Sequence, residues 1–135
     1  MTFTFTVSAT LPASPKAIYD AWLDGKQHGN MNGGGKATAS VKPGGKFTAW
    51  DGYISGRNLD LVPGKRIVQS WRTTQFTDAD ADSQIALTLA KVAGGTKVTL
   101  RHSKVPGGHD GYKSGWKSHY FEPMKAYFTA AKKKK

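Results

Sequence analysis

Cysteine is absent from this chain of 135 residues, so disulfides, thiol nucleophiles and cysteine-type zinc sites are excluded. The same absence fits a reducing compartment, and a cytoplasmic location is the expectation. Acidic side chains are scarce, with nine in all and Glu122 as the single glutamate. Neither an HExxH pair nor a GxSxG turn occurs. No apolar run approaches the roughly 18 residues of a membrane span. The opening MTFTFTVSATL alternates in polarity and lacks the basic start of a signal peptide. A chain of this length is expected to form a single domain around one substantial core.

Positive charge is what the chain has in excess. The formal net charge is +11; Lys132–Lys135 contribute +4 of it, leaving +7 for residues 1–131. The other lysines are scattered over turns and strand ends in no helix-turn-helix or zinc-finger pattern, which argues against a nucleic-acid partner. An acidic protein partner, or simply a well-solvated exterior, fits such a surface. The terminal lysines read as a disordered tail behind a domain spanning 1–131.

Residues 44–74, GGKFTAWDGYISGRNLDLVPGKRIVQSWRTT, carry the organising pattern. Asp51-Gly52 and Pro63-Gly64 supply turn chemistry, dividing the stretch into three antiparallel strands. Phe47, Trp50, Tyr53, Leu59, Leu61, Ile67 and Trp71 are expected to give the sheet its large apolar side chains.

Around that stretch, Thr2–Thr10 alternates Phe3, Phe5 and Val7 with Thr and Ser, the period of a half-buried strand. Ser14-Pro15 opens a helix with an N-cap followed by proline at the first helical position. Ile18, Ala21 and Trp22 share its apolar face, and it stops near Gly25. Residues 26–35 read as a loop or broken short helix, and 36–41 as a strand. Asp78, Asp80 and Asp82 alternate as in some calcium loops, but the glycine and glutamate of such loops are missing, so a solvated hairpin loop is expected. Gln84–Ala90 and Val98–His102 add two strands joined at Gly94-Gly95, making about seven in all. Gly33–Gly35 and Gly107-Gly108 do not open a helix in the GxxxxGK pattern and read as turns. From Asp110 to Ala131, Tyr112, Trp116, Tyr120, Met124, Tyr127 and Phe128 recur at three- and four-residue spacing, a helical apolar stripe interrupted at Pro123.

Strand, helix, antiparallel meander and long C-terminal helix make an α+β helix-grip arrangement. Ser14-Pro15 with Ala21-Trp22, Gly44-Gly45 with Phe47, Gly56, LDLVPGKRIVQSWR, GTKVTL with His102, and Gly115-Trp116 stand in the order found in one family. The chain resembles the activator of Hsp90 ATPase homologue 1-like family of the START-like, Bet v 1-like superfamily, over essentially its whole length. Segment 26–35 departs from the pattern, with His28, Asn30 and glycines where the family more often has a second short helix and a tryptophan.

The resemblance implies a curved sheet wrapped around the C-terminal helix, with a cavity between them that in many members takes a hydrophobic small molecule. Trp22, Tyr53, Trp71, His102, Trp116 and Tyr120 are the cavity-lining candidates, although aromatics in these positions fill a close-packed core equally well. His102 lies in phase with inward-facing Val98 and Leu100 and is the best-placed of four histidines, the others being His28, His109 and His119. A histidine held by neighbouring core groups is the competing reading. No catalytic residue, metal or cofactor is expected. The resemblance carries two alternatives to ligand binding: an Hsp90-type chaperone partner, and an enzyme of the polyketide cyclase or hydratase kind.

Overall fold

The computed structural model describes residues 2–31, 36–107 and 111–133. Gly33–Gly35, Gly108 and His109 lie outside them.

Six antiparallel strands form one sheet: β1 (Thr2–Leu11), β2 (Lys46–Ala49), β3 (Ile54–Val62), β4 (Arg66–Thr73), β5 (Ser83–Val92) and β6 (Gly95–Pro106). The spatial order is β1-β6-β5-β4-β3-β2. Five strands thus run as a meander, and β1 is added beside β6. The expected alternation holds in β5 and β6, where Ile85, Leu87, Val98 and Leu100 are buried with exposed or half-buried neighbours between them.

Two helices follow β1. In α1 (Pro15–Trp22) the Ser14 hydroxyl accepts the Ala17 N–H at 3.1 Å, and Ile18, Tyr19, Ala21 and Trp22 turn inward. The segment read as a loop or broken helix contains a second helix, α2 (Gly25–Met31). Asp24 starts it, its carboxylate accepting the N–H groups of Lys26 (3.0 Å) and Gln27 (3.2 Å). Those bonds, the one from Gln27 first, hold the Asp24 carboxyl below its ordinary pKa.

The expected strand at 36–41 is reduced to one bridge between Thr38 and Thr48. Beyond it, the carbonyls of Ser40 and Lys42 are taken by the side-chain amide of Asn58 at 2.8 and 2.9 Å. They are therefore not offered to a neighbouring strand, and among the described residues the sheet has six strands rather than seven. Leu59 is likewise not an interior residue. The β3–β4 register shifts between Asn58 and Asp60, and Leu59 is 50% exposed.

The C-terminal helix comes in three pieces. An α-helical turn, α3 (Tyr112–Trp116), passes into a π-helical turn over Lys117–Phe121 and then into α4 (Glu122–Lys133). The wide turn is closed by the Glu122 N–H bonding back to the Lys117 carbonyl. Pro123 follows directly, with no N–H to continue an α-helical ladder. The extra residue brings both Tyr120 and Phe121 to the buried side, alongside Trp116, Met124 and Phe128. Among the described residues, no helix is long and apolar enough to cross a membrane.

Candidate functional site

A cleft of about 900 Å³ opens where the first turns of the C-terminal helix cross the far ends of β2, β3 and β4. Its walls are aromatic: Trp71, Trp116 and Tyr120 inside, Trp50, Tyr53 and Tyr112 toward the mouth, with Gln75, Ser118 and His119 among the polar lining residues. Trp71 and Trp116 lie 5.5 Å apart between ring centroids, Trp116 and Tyr120 4.6 Å.

Trp50 owes its place to the β2–β3 turn, where Trp50 (φ 53°) and Asp51 (φ 58°) are both left-handed. That conformation costs a non-glycine residue about 1–2 kcal/mol. Here it is held by two bonds to the Lys36 backbone: the Lys36 N–H reaches the Asp51 carboxylate at 2.9 Å, and the Asp51 N–H reaches the Lys36 carbonyl at 2.9 Å. The result puts the Trp50 ring edge-on to His119, with centroids 6.0 Å apart.

Four of the six sequence candidates, Tyr53, Trp71, Trp116 and Tyr120, meet in this cleft. His102 and Trp22 do not line it and belong to the buried layer behind. The His102 ring accepts at Nδ1 from the Trp116 indole N–H (3.0 Å) and lies 2.8 Å through Nε2 from the Ser83 hydroxyl, which donates to the Trp71 carbonyl at 2.5 Å. An indole only donates, so Nδ1 must be the acceptor and Nε2 must carry the proton. Both ring nitrogens of His102, the Trp116 indole N–H and the Ser83 hydroxyl thus all have partners, and the His102 ring is fully buried. Burial lowers the His102 pKa from 6.5 to about 3. The only lone pair of the neutral imidazole is engaged by Trp116, so His102 cannot take a proton from a molecule in the cleft without breaking that bond.

Trp22 leads a second chain. Its indole donates to Gln69 Oε1 (3.0 Å), whose amide donates to Asn58 Oδ1 (2.8 Å), and Asn58 holds the 40–42 backbone. His28, on α2, makes a third. Nδ1 donates to the Trp22 carbonyl at 2.9 Å, so Nε2 accepts from the Tyr120 hydroxyl at 3.0 Å. Burial lowers His28 to about 4, with the bond to the Trp22 backbone acting weakly the other way. Burial also pushes the Tyr120 phenol well above its usual range, against a smaller opposing effect of a side-chain hydrogen bond with Trp50. Both buried histidines are therefore neutral structural groups. His28 was invisible as such in the sequence, where the one clue was Asp24 as an N-cap for the helix that carries it.

The cleft itself is short of charge. Among its described lining residues there is no Asp, Glu, Lys or Arg. Burial pushes the Tyr112 phenol up to about 12, against a bond with Thr73 that lowers it, while neighbouring Tyr53 and Asp80 add smaller upward effects. In the acidic loop, Asp80 and Asp82 are both engaged with protein groups. Asp80 accepts the Thr77 N–H at 2.9 Å and Asp82 pairs with Arg72 at 2.7 Å. Among the described residues, no three His, Asp or Glu side chains are grouped as metal ligands. The cleft thus presents aromatic ring faces on its walls and a few polar side chains at its rim.

Residues 12–129 match the family described as activator of Hsp90 ATPase homolog 1-like protein. The human activator of 90 kDa heat shock protein ATPase homolog 1 is 34% identical over 93 residues, covering 68% of this chain and 27% of that protein. The Dictyostelium discoideum activator of 90 kDa heat shock protein ATPase homolog is 31% identical over 99 residues, 71% of this chain and 25% of that one. The chain thus spans about a quarter of the length of these curated relatives. The crystal structure of an Hsp90 activator from Plasmodium falciparum has the same fold, with a TM-score of 0.84 at 22% identity over 93% of this chain and 95% of that one.

Proposed function

The chain belongs to the activator of Hsp90 ATPase homolog 1-like family, and on that footing we propose that it is a binding domain whose cleft takes a small apolar or aromatic molecule. The observation that carries this reading is the cleft of about 900 Å³ walled by Trp50, Trp71, Trp116 and Tyr120. Its size and its mix of aromatic wall and sparse polar rim match those of sites that enclose drug-sized ligands. Binding rather than catalysis is favoured because the described cleft lining holds no carboxylate to pair with its one histidine, His119. The test is titration of tryptophan fluorescence with naphthalene, on the parent chain and on Ser118→Trp, which places an indole at the cleft. Saturable quenching by one equivalent, lost in Ser118→Trp, is expected. A parent chain that never saturates, or binding indifferent to the filled cleft, refutes the reading.

Docking on an acidic surface of an Hsp90-type chaperone is the second reading. The observation in its favour is the 34% identity with a human protein named as an activator of that ATPase. A charge-driven complex of this basic chain must weaken steeply with salt, since exposed charges are screened over about 10 Å at 0.1 M. Pull-down with purified Hsp90 at low and high salt, with the chain ending at Ala131 as control for the lysine tail, distinguishes the two. Association that is absent at low salt removes this reading.

A further inference from the structure

The polar groups along the cleft end, at Gln75, in an exposed side-chain donor. The hydroxyls of Thr73 and Tyr112 are 2.7 Å apart, and that bond lowers the Tyr112 pKa while the one to Tyr53 raises it. The Tyr53 hydroxyl donates to Gln75 Oε1 at 2.9 Å. With its oxygen taken, the Gln75 amide presents Nε2, whose two N–H groups meet no acceptor among the described residues. Gln75 lines the same cleft as Trp50, whose ring sits at the mouth on a turn pinned to the Lys36 backbone. Ser118, the second rim donor, also has no side-chain partner among the described residues.

We propose that the cleft selects neutral, flat ring compounds bearing one hydrogen-bond acceptor, the ring clamped beneath Trp50 and the acceptor bound by Gln75 Nε2. The inference rests on the ligand-binding reading above and narrows it. A carboxylate entering the same space would lose its hydration with no cation among the described lining residues to replace it. The net charge of +11 draws anions toward the surface, but that attraction is long-ranged and is screened at moderate salt. Selection inside the cleft is local and survives salt.

The experiment compares three probes of one ring size at about 0.2 M salt, where exposed charges are screened within several ångströms. They are 2-acetylnaphthalene (neutral, one acceptor), naphthalene (no acceptor) and 2-naphthoate (anionic), read by tryptophan quenching and by calorimetry. Expected is an order of acetylnaphthalene, naphthalene, naphthoate, with the first step roughly three- to tenfold, the worth of one added hydrogen bond. Gln75→Glu keeps an oxygen for Tyr53 and replaces the donor by an anion. It should erase or invert the preference for acetylnaphthalene, read as the ratio of the acetylnaphthalene and naphthalene affinities within the same variant. Trp50→Ala should weaken all the probes. Equal affinities for acetylnaphthalene and naphthalene, tightest binding of naphthoate, or a preference untouched in Gln75→Glu overturns the inference while leaving the cleft as a binding site. If none of the probes saturates, the inference falls together with the reading it rests on.

Discussion

Acid should unfold this protein through two histidines, and the effect can be worked from their surroundings. His28 and His102 are both buried, and both hold their hydrogen bonds only as neutral rings. Their folded pKa values are about 4 and about 3, against 6.5 in an exposed chain. Between those values and 6.5 the unfolded chain binds more protons than the folded one, so stability falls as pH falls. It is fully present above pH 6.5 and is lost progressively toward the folded values. Each pKa unit is worth 1.36 kcal/mol, which gives a loss of about 2 kcal/mol per histidine between pH 7 and pH 5, and about 4 kcal/mol for the pair. That is a large part of the 5–15 kcal/mol typical of a domain. Urea unfolding followed by tryptophan fluorescence at pH 7, 6 and 5 measures it as a falling midpoint. His102→Gln keeps an acceptor for the Trp116 indole and a donor for Ser83 but does not titrate. In that variant the slope with pH should drop by about half. A midpoint that stays level from pH 7 to 5, or an unchanged slope in His102→Gln, refutes the argument that these rings are held neutral.

Two further substitutions test the interior. His102→Ala strands the Trp116 indole N–H and the Ser83 hydroxyl in a buried cavity, so it should cost about 3 kcal/mol or more, in the range of Trp116→Ala; thermal and urea melts of the two compare them, and a cost under about 1 kcal/mol counts against the network. Gly56→Ala is expected to prevent stable folding or to shift β3 away from β4, because a Cβ there would overlap the Ser70 carbonyl and the Phe47 ring. Circular dichroism and amide exchange of β3 and β4 check it, and native stability in Gly56→Ala would show the strand contact to be looser than described.

The sequence by itself determined what depends on neighbours within a turn or two. Alternation in Thr2–Thr10, Gln84–Ala90 and Val98–His102 is a local property of a pleated strand, and all three lie in strands. Ser14-Pro15 carries a helix start within four residues, and the 116/120/124/128 stripe marks the face that the C-terminal helix buries. Tertiary structure alone decided the rest, because there the deciding partner is distant in the chain. The 36–41 strand is dissolved by a side chain at Asn58, and the π turn brings Phe121 inward although spacing had singled out Tyr120 alone. His28 becomes a core residue by meeting Tyr120, 92 positions away, and Trp22 turns from cavity wall to core by meeting Gln69, 47 positions away. Trp50 shows the same division within one residue. Its aromatic character was plain in the pattern, but its place over the cleft follows from a left-handed turn tied to Lys36, and no hydrophobic periodicity encodes a backbone bond made 15 residues away.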